Sequence, residues 1–239
     1  MTLKKTIRLS VKKIFSWVEN IFLYIIKPKA GTTGWLVQKE YFYGGYVTEI
    51  KRNVVSDKDL RSNDEINRGG MTGGDRMSGL YHGYGKYYSQ YIKDFLDSEK
   101  IVLVEIGVLK GTGVAIWSDL FPDGRVIGLD IDISNVDIEN LKSKGAFSNN
   151  NMELLEFDQY KDNQGYLADI LGGQKISICI DDGIHSNQGI LNTIESVKVH
   201  LADRFVYFIE DNEEVYYLIK NKYPHWVVKK HGQMTVITN

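Results

Sequence analysis

Short, largely apolar runs separated by helix-length segments constrain this chain most. Ile101–Ile106, Arg125–Leu129, Met152–Phe157, Ile176–Ile180 and Phe205–Ile209 read as strands. Gly113–Leu120, Gln164–Leu171, Gln188–Leu201 and Glu213–Lys222 read as the helices between and after them. Strands that are apolar at successive positions are buried on both faces. Their alternation with helices builds a mostly parallel central sheet with helices on both faces. Trp226–Lys230 and Met234–Thr238 flank His231-Gly232-Gln233 and read as a C-terminal antiparallel hairpin. That hairpin is expected to add one antiparallel strand at the sheet edge. The expected class is α/β, Rossmann-like.

Two of these strands end in acid. Asp181-Asp182-Gly183-Ile184-His185 follows Lys175–Ile180, and Glu210-Asp211 follows Arg204–Ile209. In open α/β sheets, ligands bind outside the carboxyl ends of the strands. Neighbouring strands ending this way would gather several carboxylates and one imidazole. Those charges repel unless a cation lies among them, and hard oxygen donors favour Mg²⁺, Ca²⁺ or Mn²⁺ over zinc. His185 would sit beside such an ion as a candidate base. One strand ending in Asp often marks only a turn. Two such ends, one carrying Asp-Asp-Gly-x-His, favour a site.

The first strand runs into Glu105-Ile-Gly107-Val-Leu-Lys-Gly111-Thr-Gly113. Glycines there let the backbone approach a ligand and let the next helix begin nearby. The spacing is not Gly-x-Gly-x-x-Gly. Asp130 ends the second strand, where an acid can hold ribose hydroxyls. Asp158-Gln159 ends the third, placed to reach an adenine ring. Both NAD and S-adenosylmethionine present a ribose to the second strand. Glu105 would repel a pyrophosphate but tolerate an amino-acid tail, and hydride transfer needs no metal cluster. The residues therefore favour S-adenosylmethionine.

Composition sets the remaining bounds. A net charge of −2 over 239 residues gives no reason to expect nucleic acid as a partner. The single cysteine, Cys179, lies inside an apolar strand and reads as a core residue. With no disulfide framework and no Cys-based zinc motif, a reducing cytoplasm is expected.

Residues 1–30 form an expected N-terminal segment of their own. Lys4, Lys5, Arg8, Lys12 and Lys13 precede Ile14–Ile26, and Lys27 and Lys29 follow. The apolar stretch is short for a membrane span and is interrupted by Glu19 and Asn20. It has no Ala-x-Ala-like cleavage site, so a signal peptide is not expected. Ile14, Trp17, Val18, Phe22 and Ile25 recur at helical spacing. Such a helix packs on the domain or in a homo-oligomer interface, or rests on the inner face of an anionic membrane as a peripheral contact.

Residues 31–79 read as a second segment. Val37–Tyr43 and Tyr46–Val55 flank Gly44-Gly45 and suggest a hairpin; residues 56–79 suggest a lid-like loop. Tyr84–Leu96 has helical spacing, and residues 80–239 form the expected main domain.

Several stretches resemble the macrolide-sugar O-methyltransferases of the mycinamicin and macrocin type, with cephalosporin-hydroxylase-like relatives. They are Asp75-Arg76, His82-Gly-Tyr84 with Tyr87 and Tyr88, Leu103–Val108, Trp117, Phe121-Pro122, Ile127–Asp132, Asp181–His185 and Ile209–Asp211. Together they span roughly residues 72–215. The resemblance implies a class I S-adenosylmethionine-dependent methyltransferase fold and a Mg²⁺-dependent O-methyltransferase acting on a sugar hydroxyl of a cell-surface glycan, its precursor or a glycosylated natural product. Carried over by position, Asp182, Glu210 and Asp211 would ligate the metal, and His185 would be the general base. Asp181 would support the site from behind. Tyr81, His82 and Tyr84 would lie over cofactor or substrate. The first seventy residues have no counterpart in the resemblance, and a cell-surface glycan or its precursor fits them better than a macrolide. Three alternatives stand beside this reading. They are a phosphorylated, phosphoramidate or catechol-like acceptor, an NAD-dependent oxidoreductase, and a non-catalytic membrane-tethered binding module.

Overall fold

The computed structural model describes residues 3–45, 48–49, 72–98 and 100–239. The chain divides into two compact units, Met1–Lys93 and Asp94–Asn239.

In the first unit, α1 (Leu3–Ile26) is followed by α2 (Thr33–Gly44) and α3 (Gly85–Ile92). A short β1 (Thr48–Glu49) pairs antiparallel with β2 (Thr72–Gly73). The expected hairpin arm Val37–Tyr43 is therefore helical. Leu36, Val37, Glu40, Tyr41 and Tyr43 are buried, which is the rhythm of a helix face. Thr32 caps the start by accepting from the Trp35 N–H (3.4 Å). Gly45, at φ +73°, ends the helix, its N–H donating to Tyr41 O (3.1 Å). The Gly-Gly pair terminates a helix instead of turning a hairpin. Residues 50–71, most of the expected second arm and of the lid-like loop, lie outside the described residues.

Glu40 is buried within this unit, and its carboxylate accepts from the N–H groups of Arg76 (3.0 Å) and Met77 (2.9 Å). Burial raises its pKa from 4.5 to about 7 against the pull of those bonds. The folded value lies above the unfolded one. The group's stabilising contribution is therefore complete below about pH 4.5 and is lost as the pH rises through about 7. The loss is on the order of 3 kcal/mol. Melting curves by circular dichroism should show a falling Tm between about pH 5 and pH 8, with a flatter profile in Glu40→Gln.

The second unit is a seven-stranded sheet with the order β5-β4-β3-β6-β7-β9-β8. The strands are β3 (Val102–Ile106), β4 (Arg125–Asp130), β5 (Met152–Glu156), β6 (Ile176–Asp181), β7 (Leu201–Ile209), β8 (Val227–His231) and β9 (Met234–Thr238). β3 to β7 are parallel, as expected. The terminal hairpin corrects one detail. β9 pairs antiparallel with β7, and β8 takes the edge beyond it, so the antiparallel strand is interior.

Helices cover both faces. α6 (Gln164–Leu171), α7 (Asn187–Val197) and α8 (Val215–Lys222) pack Leu167, Ile190, Ile194 and Ile219 with Val104, Ile127, Cys179 and Tyr207. α4 (Thr112–Leu120) lies on the opposite face. There Gly128 makes room for Val114, whose Cγ1 would be 2.9 Å from a Cβ at that position. A short α5 (Ile138–Ser143) has no apolar periodicity long enough to read and was not expected. The sheet order runs outward from β3 in one direction and from β6 in the other, so the carboxyl ends of β3 and β6 flank a topological switch point.

Candidate active site

Two loops meet at that switch point because one residue has no side chain. Gly107 follows β3 at φ +86°, and a Cβ there would fall 2.1 Å from the carbonyl oxygen of Asp182. The Asp182 N–H donates to Ile106 O (2.8 Å), and the Gly107 N–H donates to Leu129 O (2.8 Å). A larger residue at 107 would separate the glycine-rich turn from the acidic loop.

The turn is shaped around two carboxylates. Glu105 is buried, and a Cβ on Gly113 would lie 2.1 Å from its Oε1. The carboxylate thus lies against the first turn of α4, where the helix dipole favours negative charge. Asp130 Oδ2 accepts from the N–H groups of Val108 (2.7 Å) and Leu109 (3.0 Å), and Oδ1 accepts from Asp132 N–H (3.1 Å). Asp130 therefore pins the turn to the end of β4. Gly111, at φ +86°, opens α4 and packs against Val136 and Leu141.

The acidic loops after β6 and β7 build the second half. Ligand atoms of Asp182, His185 and Asp211 all lie within 4.8 Å of one another, each residue partly exposed. His185 Nε2 is 3.9 Å from Asp182 Oδ1, and its Nδ1 is buried. Both His185 (φ +57°) and Asp211 (φ +53°) hold left-handed backbone conformations without being glycine. Each such residue costs about 1–3 kcal/mol, and such strain clusters where function holds it.

Buried partners fix these loops. Asp181 Oδ1 accepts from Gln159 Nε2 (2.9 Å), and Oδ2 accepts from the Tyr207 hydroxyl (3.3 Å). Burial raises the Asp181 carboxyl from 3.8 to about 6 against those bonds. Gln159 also donates to Thr193 Oγ1 (2.9 Å) and accepts from the Ile184 N–H (2.8 Å). Asn212 joins the two acidic loops. Its Nδ2 donates to His185 O (2.8 Å) and Asn187 Oδ1 (2.9 Å), while its Oδ1 accepts from Glu214 and Val215 N–H (2.8 Å each).

The expected residues therefore divide by position. Asp182, His185 and Asp211 come together. Glu210 is buried, its N–H bonded to Asp181 O (2.9 Å), and its carboxylate does not join that group. Asp158 lies two residues after β5, with Oδ1 accepting from Tyr160 N–H (3.0 Å) and Oδ2 paired to Lys161 (3.3 Å). Gln159, expected at an adenine ring, is buried and spends its carboxamide on the acidic loop. Tyr81 belongs to the first unit, where its hydroxyl lies 3.0 Å from Ser16 Oγ. Asn212 and Tyr207 were not anticipated. Asn212 follows the Glu-Asp pair directly, and an Asn three residues before a helix is a readable capping signal. Cys179 is buried and free, as expected.

No family model matches the sequence. Over 147 residues the chain is 28% identical to the mycinamicin VI 2''-O-methyltransferase of Micromonospora griseorubida, covering 58% of this chain and 34% of that protein. The chain thus spans about a third of the curated relative's length. Among solved structures it resembles the MycE methyltransferase from the mycinamycin biosynthetic pathway in complex with Mg and SAH. The TM-score is 0.54 at 20% identity, over 68% of this chain and 50% of that one. The MycE complex with Mg, SAH and mycinamycin VI gives a TM-score of 0.52 at the same identity and coverage. The fold is the Rossmann-like methyltransferase fold.

Proposed function

We propose that the chain is an S-adenosylmethionine- and Mg²⁺-dependent O-methyltransferase whose acceptor is a sugar hydroxyl. The observation that carries this reading is the grouping of Asp182, His185 and Asp211 within 4.8 Å, beside the glycine turn at the switch point. The donor set fits a hard cation, since two carboxylates and no thiolate face the opening. Asp182 and Asp211 would hold the ion; Glu210, which the sequence resemblance implies as a third ligand, is buried with its carboxylate outside that group. When bound, a divalent cation supplies Lewis acidity that eases deprotonation of a hydroxyl. When bound, S-adenosylmethionine supplies a methyl group on positively charged sulfur.

The chain's own residues do the rest. Gly107, Gly111 and Gly113 let the donor approach backbone, and Asp130 stands where ribose hydroxyls would meet a carboxylate. Glu105 sets a negative charge under the turn, suited to an amino-acid tail and opposed to a pyrophosphate. His185 takes the hydroxyl proton on Nε2, because Nδ1 is buried. Asn212 holds the His185 backbone, and Gln159 with Tyr207 holds Asp181, so the base and the carboxylates keep their spacing. Gln159 and Asp181 thus act as positioning residues.

Titration calorimetry with S-adenosylhomocysteine and NAD tests the donor half of this reading. S-adenosylhomocysteine should bind with a Kd on the order of micromolar while NAD shows no heat. Binding of NAD alone would replace methyl transfer with hydride chemistry.

A further inference from the structure

The first helix is built inside out. Lys12, Ser16, Glu19 and Leu23 lie on one stripe of α1, and that stripe faces the first unit. Ser16 Oγ meets the Tyr81 hydroxyl (3.0 Å), and Lys12 Nζ lies 4.6 Å from the centre of the Tyr81 ring. Glu19 Oε2 accepts from the hydroxyls of Tyr41 (2.6 Å) and Ser78 (2.8 Å). Leu23 is buried. The outward side is apolar: Ile14, Phe22, Tyr24 and Ile25 each leave at least 60% of their surface exposed, with Trp17 and Ile21 beside them. Ten of the seventeen large hydrophobic side chains exposed among the described residues belong to this one helix. A monomer in water has no reason to bury the polar stripe and display the apolar one.

The charges identify what covers that face. Residues 1–30 carry seven basic side chains and one acidic one, Glu19, in a chain of net charge −2. The basic residues stand at both ends of the apolar stretch, Lys4 to Lys13 before it and Lys27 and Lys29 after it. Two copies of the helix laid face to face, in either direction, would bring like charges together. An anionic bilayer meets both features at once. Phosphates attract the two basic ends, while the apolar side enters the acyl boundary and Trp17 and Tyr24 suit the headgroup level. No helix among the described residues is long and apolar enough to cross a membrane, which leaves α1 in the plane of the interface.

We propose that α1 docks the protein on the surface of an anionic phospholipid bilayer. The proposal does not depend on the methyl-transfer reading. The test is co-sedimentation of the full chain with vesicles of equimolar phosphatidylglycerol and phosphatidylcholine, or of phosphatidylcholine alone. The wild-type protein partitions onto the anionic vesicles, more weakly onto the neutral ones, and is released by high salt. Trp17→Glu/Phe22→Glu lowers partitioning by more than about 30-fold, since two aromatic insertions are lost. Lys4→Glu/Lys5→Glu/Arg8→Glu abolishes the preference for the anionic vesicles. Trp17 and Phe22 are exposed, so circular dichroism melts of the first variant should match the wild type. Equal partitioning of variant and wild type, or no partitioning at all, would overturn the proposal. So would a wild-type dimer in sedimentation velocity that ignores vesicles and dissociates in Trp17→Glu/Phe22→Glu, because a second copy would then cover the helix.

Discussion

His185→Ala should lower methyl transfer to a sugar acceptor by about 10²–10⁴-fold while leaving S-adenosylhomocysteine affinity nearly unchanged. The imidazole projects from the loop after β6, and its Nε2 lies 3.9 Å from Asp182 Oδ1, so it sits at the acidic group. The glycine turn follows β3 and Asp130 ends β4, and neither depends on it. Removing the base should therefore change turnover and spare donor binding. Alanine also inherits a left-handed φ of +57°. His185→Gly is the control that accepts that backbone without strain. Equal loss of turnover in the two variants assigns the loss to the missing base. A parallel loss of donor affinity would instead place His185 in the donor pocket.

Asp211→Asn should lower activity by at least about 100-fold and yet raise the stability of the metal-free protein by about 1 kcal/mol. Asp182, Asp211 and the neighbouring buried acids Asp181 and Glu210 crowd one end of the sheet. Neutralising one relieves repulsion, and asparagine adopts the left-handed φ of Asp211 as readily as aspartate. The melting temperature in EDTA should rise by about 3 °C. Saturating Mg²⁺ should stabilise the wild type more than the variant. A variant that melts lower in EDTA would mean that Asp211 serves the fold and not an ion.

Much of this was readable from the sequence, and the exceptions have physical reasons. β3, β4, β6 and β7 announced themselves because strands buried on both faces are apolar at most positions. The acidic ends of β6 and β7 were visible because charge directly after a largely apolar run stands out from it. The α2 segment misled because Val37, Tyr41, Phe42 and Tyr43 are strand-favouring residues, while burial at helical spacing decided the outcome. The insertion of β9 between β7 and β8 left no local trace, since pairing partners are set by the whole sheet. The hydrogen bonds that Gln159 makes to Asp181 and Thr193 join residues 22 and 34 positions apart, beyond the reach of any local pattern. The inverted polarity of α1 was hidden for a related reason. Periodicity reveals that a helix has two faces, but not which one the protein keeps.

The measurement that bears most directly on the site is a titration of Mn²⁺ into the full chain, followed by electron paramagnetic resonance, with Mg²⁺ as competitor. One bound ion per chain, displaced by Mg²⁺ and lost in Asp182→Asn, is the predicted result. Absence of binding, or binding that Asp182→Asn leaves intact, would contradict the assignment of Asp182, His185 and Asp211 as the metal-dependent centre of a methyltransferase.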